Sequence, residues 1–419
     1  MNKIVLSAVA ALTIGALSAS AGGVKLYSDT DGQVFTSAGE GRTEIKDSGT
    51  SVSAKASKLK FSGKHYLGFT YKNKEELSAA DGGLKAERKT GNFEMRRNYL
   101  QVKAYLLEDP KSYLRVTLDA SYTESKANDD GKNPSNYAQV YVKYAYLYLN
   151  DILPFTGVEL GMVHRPWADY EQGQGWKMRS ISKVFSEGTA HLLNSSDLGF
   201  NFRTKTDYFT SELGIFNGEG YHGSNGDETK IGTGVSAEWR LTGAMLGNGT
   251  KKRKVTKDTY ADASFFGQYN ADNSKNEVKN DAGGEEAYDY TILGVHAVYN
   301  MPNFLIAAQY VSSDNDGSEI GAGTSKYNGT GYSINATARF GDKKEYSVIA
   351  RYDDWEAENE ALDEKYQTNT AIYGVAWRQN KNVKWLLSGE SYRADDHKSY
   401  KGKATQDWDA AMVTAEIKW

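Results

Sequence analysis

The chain has no cysteine, only 5 prolines among 419 residues, and beyond Leu17 no apolar run near the ~20 residues of a membrane-spanning helix. Without cysteine an exported chain cannot be a disulfide scaffold, so its stability must come from a large core or a closed sheet. The missing runs exclude insertion by helices. Proline cannot donate to a sheet ladder, and all five (Pro110, Pro134, Pro154, Pro166, Pro302) fall between the strands assigned below.

What is present is unusual in kind: 29 Tyr, 42 Gly and a mean hydropathy of -0.63. Tyrosine- and glycine-rich but polar on average describes a transmembrane β-barrel, in which half of each strand faces water inside. The amino terminus agrees. Lys3, an apolar run from Ile4 to Leu17 and Ala19-Ser20-Ala21 make a secretory signal cleaved after Ala21. Residues 22–57 then read as a periplasmic extension, and 58–419 as the barrel domain.

From Leu59 onward the chain repeats segments of period-two alternation, one face apolar and one polar, as half-buried strands require. About sixteen can be assigned, among them 58–72, 92–107, 137–150, 259–271, 288–301 and 369–379. In 137–150, Val140, Val142, Tyr144, Tyr146 and Tyr148 share the apolar parity. Every second connection is short and the others are long and polar, which predicts an antiparallel barrel with short periplasmic turns and long extracellular loops. One link breaks the rule: Gly243 to Asp258 is long where a turn belongs. Either that turn is extended or the strands number eighteen.

The last strand alternates Ala411, Val413, Ala415, Ile417 and Trp419 to the final aromatic residue. With that ending the chain resembles the Gram-negative outer-membrane porins, whose last strand is read by the barrel-assembly machinery. The segment from Tyr144-Ala145-Tyr146-Leu147 through Gly161-Met162-Val163-His164-Arg165-Pro166-Trp167 to Arg179-Ser180-Ile181-Ser182-Lys183-Val184-Phe185 is similar to porins of the epsilon branch of proteobacteria. More distantly, the chain resembles the phosphate-selective O/P porins. The resemblance implies an outer-membrane location among lipid, a homotrimer, a third loop folded into the lumen, and passive diffusion of small ions and solutes.

If the apolar parity meets lipid, the other lines a channel. Its basic members include Lys60, Lys64, Arg97, Lys103, Arg115, Lys143, Arg203, Lys205, Arg240, Arg339, Arg351 and Arg378, and they outnumber acids such as Asp119, Glu212, Glu238, Asp262, Asp353, Glu390 and Glu416. Rings of one sign select counter-ions, so a weak anion preference is expected, against a mixed lumen with little selectivity. The long third connection, His164 to Asn194, is of a length that is usually functional. Between Gly175 and Gly188 a short helix would bury Trp176, Met178, Ile181, Val184 and Phe185 on the barrel wall, with Arg179 and Lys183 one turn apart facing water. With His164, Arg165 and Lys177 they would form a basic constriction. Asp169, Glu171 and Glu187 interrupt the row and weaken the case for phosphate. The alternative is an ordinary external loop.

No enzyme is expected, for the six histidines are scattered and neither HExxH nor GxSxG occurs. Asp314-Asn315-Asp316-Gly317-Ser318-Glu319 lacks the spacing of a calcium loop, and no cofactor or metal is expected. Lys251-Lys252-Arg253-Lys254 reads in an exported chain as a solvated turn, with no nucleic-acid partner. The rival to a channel is a closed structural or adhesin-type barrel acting through its loops. Charges at mid-strand speak against that rival, since unpaired charge in a dry interior is very costly.

Overall fold

The computed structural model describes residues 27–30, 34–35, 38–44, 58–77, 85–105, 107, 109–122, 138–218, 220, 235–250, 253–279, 285–315, 328–359, 364–394, 399–400, 403–404 and 407–419. The expected signal segment and Asp316 to Glu319 lie outside them, as do Lys251 and Lys252. The chain divides into two units, residues 1–58 and 59–419. In the first, two-residue strands at 27–28, 34–35 and 43–44 pair as a small antiparallel sheet.

The second unit is one closed antiparallel barrel of sixteen strands. They are β1 (Leu59–Leu77), β2 (Lys85–Ala104), β3 (Tyr113–Tyr122), β4 (Ala138–Leu153), β5 (Thr156–His164), β6 (Ser196–Lys205), β7 (Phe209–Phe216), β8 (Val235–Leu246), β9 (Tyr260–Lys279), β10 (Glu285–Met301), β11 (Phe304–Asn315), β12 (Gly329–Phe340), β13 (Tyr346–Asn359), β14 (Glu364–Arg378), β15 (Val383–Ala394) and β16 (Trp408–Lys418). Each strand pairs with the next in sequence, and β16 returns to β1 with Trp408 opposite Lys74 and Lys418 opposite Lys64. The backbone past β16 continues the closure, Gly63 and Trp419 exchanging N–H···O bonds of 3.0 and 3.2 Å.

Short turns and long connections alternate between the two rims. The exceptional link is an extended turn, 247–259, so the strands number sixteen. Its Arg253 donates to the Gly249 carbonyl and, through both guanidinium nitrogens, to Asp262 at 2.7 and 2.9 Å. Three expected long loops are shorter than the sequence indicated, because their strands run on. β1 and β2 leave 78–84 between them, β9 and β10 leave 280–284, and β13 and β14 leave 360–363.

Alternate residues along each strand stand exposed and apolar on the outer surface, such as Leu293 and Val295 on β10, Ile334 on β12, Leu387 on β15 and Val413 on β16. An apolar surface of this extent needs a non-aqueous neighbour, and a closed sheet leaves no backbone group unpaired against it.

The parity expected for β4 fails halfway. Leu118 faces Val142 but Thr117 faces Tyr144, so Lys143 is an extra, bulged residue. Val140 and Val142 point outward, whereas Tyr144 and Tyr146 are buried on the inner side. A second bulge at Arg96 on β2, between the pairs Tyr66–Arg97 and Leu67–Met95, brings Arg97 inward to Asp119 at 2.9 Å.

Replacing Val295 by Arg should cost about 2–4 kcal/mol of folding stability, the depth-dependent cost of a cation on the lipid face. Urea unfolding in lipid vesicles measures it; a loss under 1 kcal/mol would place Val295 away from the bilayer midplane.

Candidate functional site

The connection from Arg165 to Ser195 is described throughout and lies inside the barrel. Pro166 starts α1 (Pro166–Gln174), where a missing N–H costs nothing, and α2 (Phe185–Gly188) follows after an irregular stretch. The helix expected between Gly175 and Gly188 is therefore reduced to the four residues of α2 at the end of that interval, and the longer helix, α1, precedes it. The Glu171 carbonyl takes the N–H of both Gly175 and Trp176 and ends α1. Gly175 also lies against the wall, where a Cβ would sit 3.0 Å from His296 Nε2. The apolar residues nevertheless do what their pattern demands: Trp176, Met178, Ile181, Val184 and Phe185 are all buried.

They bury against inward-facing apolar side chains that alternation alone did not reveal. One cluster joins Ala168, Trp176, Met178, Ile181 and Val184 to Ile349, Ile372, Ala376, Leu386 and Met412 of β13 to β16. Another joins Trp167, Phe185, Ala190, Leu192 and Leu193 to Phe266, Ile292, Val311 and Trp355. Trp167 stacks on Phe266 with centroids 3.6 Å apart and planes 3° from parallel. Phe266 lies flat along the wall because its cross-strand neighbour is Gly294, where a Cβ would overlap its ring.

The polar latch is Glu171, buried on α1. Its carboxylate accepts the Phe185 N–H and the Ser186 hydroxyl, both at 3.0 Å, and the Gln309 amide of β11. Burial, opposed by Arg351 and these donors, pushes its pKa from 4.5 up to about 7. Around it Arg351 grips Asp353 and donates to the Lys183 carbonyl at 2.6 Å, Thr189 donates to Asp353 at 2.6 Å, and Ser180 donates to Glu416 at 2.6 Å.

The expected constriction residues divide. Arg179 does not face water: both its terminal nitrogens bind Glu187, at 2.5 and 2.9 Å. Burial opposes that charge on Glu187, but the guanidinium outweighs it and holds the carboxyl well below its usual range. Arg165 is buried against Glu238 and Ser236. His164 lies between Glu159 at 3.2 Å and Glu212 at 3.5 Å. Lys183 keeps 48% of its side chain exposed, 3.6 Å from Glu187, and the Lys177 ammonium reaches the Gly173 carbonyl. Three of the five cations are thus held in buried contacts, because the inner carboxylates meet them before water does.

The eight expected lumen cations are likewise mostly engaged. Arg203 binds Glu159 at 3.0 Å and Glu212 at 3.3 Å, Arg240 binds Glu212 at 2.9 Å, and Lys143 donates to Ser195 at 2.6 Å. Arg339 is tied to the Met301 carbonyl, and Arg378 to the Lys343 and Lys344 carbonyls at the short-turn rim. Lys103 lies over the Tyr113 ring at 4.0 Å, and Arg115 over the Tyr144 ring at 4.4 Å.

What remains is local. Among the described residues Lys60, Lys64, Lys103 and Arg115, all inward on β1 to β3, have no carboxylate within ion-pair distance, so this wall carries unbalanced positive charge. Lys64 and Arg115 line a cavity of about 330 Å³ that Asp169 and Gln172 of α1 close from the other side. Asp169, which sequence counted only as an interruption, is the exposed carboxylate facing that wall.

No family model matches the chain, and no curated protein matches it by sequence. Solved structures do. An anion-selective porin from Comamonas acidovorans is 13% identical with a TM-score of 0.55, over 86% of this chain and 99% of that one. OmpF of Salmonella typhi, in complex with daunomycin, is 11% identical with a TM-score of 0.53, over 86% and 97%. OmpT of Vibrio cholerae is 13% identical with a TM-score of 0.52, over 86% and 97%. At such identities the likeness is one of fold. The fold is that of the outer-membrane porin barrels.

Glu171 makes docking of the inner segment depend on pH. Its pKa is raised on folding, so its contribution is complete below pH 4.5 and is lost as pH rises through 7. Melting temperature measured from pH 4 to 9 should fall across that window in the native chain, and Glu171→Gln should flatten the fall. An unchanged slope in the variant would assign the titration elsewhere.

Proposed function

We propose that the chain is an outer-membrane porin, a passive channel for small hydrophilic solutes and ions with a weak anion preference. The observation that carries this reading is the unbalanced basic wall of β1 to β3 facing the inward-folded third connection. Solutes pass between that wall and α1, where Lys64 and Arg115 stand opposite Asp169. Lys183 adds a water-facing cation on the long-loop side. In a narrow passage with low-dielectric walls, fixed charge of one sign raises the local concentration of the opposite ion.

The short-turn rim faces the periplasm in this reading. Residues 1–21 are the cleaved signal, 22–57 a periplasmic extension, and the strand ending at Trp419 the part read by the assembly machinery. A homotrimer goes with it, one structural neighbour being described as a trimer form. The narrower likeness to epsilon-branch porins rests on the Tyr144 to Phe185 segment. Phosphate selectivity is a weaker part of the reading, because the cations that would form an arginine row are held by Glu159, Glu187, Glu212 and Glu238. A closed structural barrel is the second reading, favoured by the apolar contacts with which the inner segment fills one side of the lumen.

Planar-bilayer recording under a KCl gradient tests both. Ohmic steps with a chloride-directed reversal potential are expected. Lys64→Glu with Arg115→Glu should move the potential towards potassium, and Asp169→Asn should move it further towards chloride. Steps indifferent to all three changes would sink this passage, and folded protein without any conductance would leave the closed barrel.

A further inference from the structure

A second cavity, of about 520 Å³, lies on the other side of Asp169, between α1 and the inner faces of β6 to β9. It is a side chamber. Along β8 it is lined by Thr242 and Arg240, while the next inward residues towards the long-loop rim, Glu238 and Ser236, are buried and tied to Arg165. Along β9 it is lined by Tyr260 and Asp262, while Phe266 beyond them is sealed under Trp167. Its other end reaches Thr250 and Val255 in the extended turn. The chamber therefore opens at the short-turn rim and is roofed by the inner segment.

Its charge is prepared for an anion. Two guanidinium groups are held rigidly: Arg240 by Glu212 at 2.9 Å, Thr242 at 2.7 Å and the Tyr170 ring at 4.3 Å, and Arg253 by Asp262 and the Tyr260 ring at 4.3 Å. Arg203, Lys177 and Lys205 add three further cations to the lining. Of the carboxylates, Glu212 and Asp262 are occupied by these arginines, which leaves Asp169 at the boundary. Charge-assisted bonds to such preset donors are the strong ones.

The volume falls in the range of organic-ligand pockets and far exceeds a bare oxyanion. A ligand that fills it needs one anionic end for the cations. It also needs hydroxyl groups that can donate to Asp169 and exchange hydrogen bonds with Thr210 and the Tyr148 hydroxyl. We propose that this chamber binds a hydroxylated organic anion, of the size of a sugar phosphate or sugar acid, entering from the short-turn rim. The site lies beside the passage proposed above and does not depend on its conducting.

Isothermal titration of the detergent-refolded full chain with glucose 6-phosphate and with inorganic phosphate tests it. Saturable binding of the sugar phosphate, about tenfold or more tighter than inorganic phosphate, is expected. Lys177→Gln with Lys205→Gln should weaken it about tenfold or more, as the loss of a charge-assisted bond does, and Lys343→Gln, an exposed change on the same rim, should not. Circular dichroism checks folding, and Lys205→Gln alone serves should the double variant not fold. Absence of saturable binding, equal affinity for inorganic phosphate, or wild-type affinity in the folded lysine variants would overturn the proposal.

Discussion

Apolar burial inside a barrel is the interaction on which the rest depends. A sixteen-strand sheet needs its outer face to be apolar, but nothing in that requirement fills the middle. Here Ile349, Ile372, Leu386 and Met412 turn inward and receive Trp176, Ile181 and Val184 of the segment that connects β5 to β6. Burial of such side chains is worth roughly 1.5–3 kcal/mol each before conformational entropy is subtracted. The polar bonds of Glu171, Arg351 and Ser180 then set where the segment rests.

That seating decides the electrostatics. Once the segment crosses the lumen, its neighbours are the inner strands, and opposite charges meet without water between them. Arg165 finds Glu238, Arg179 finds Glu187, and His164 is held between Glu159 and Glu212. A buried charge without such a partner is unaffordable in this setting, so pairing there is a condition of folding. Positive charge outside such pairs is left on β1 to β3, where Asp169 is the carboxylate of the segment that faces it, and in the chamber beside α1.

Strand placement was legible because lipid and lumen impose a strict period of two, and long strands alternating with short turns leave few other topologies. The bulges at Lys143 and Arg96 were not legible, since an extra residue changes no composition and yet turns Tyr144 and Tyr146 from one face to the other. The apolar inner wall escaped for a related reason: where both parities are apolar, as around Ile349 or Leu386, alternation does not say which side has a partner. Arg179 and Lys183 were expected to share a water-facing side, and only Lys183 does. Their fates diverged because Glu187 lies close enough to hold Arg179 in a two-pronged pair, which spacing along the chain does not display.

The lengths of β2 and β9 have an effect of their own. Each has 20 residues. At ~3.3 Å per residue and a tilt near 45°, such a strand climbs roughly 45 Å along the barrel axis, against an apolar band about 25 Å tall. Paired with β1 and β10, they carry two stretches of the wall beyond that band as two-stranded ribbons. In the channel proposed above, a solute arriving at the long-loop rim meets these ribbons before it meets the inner segment.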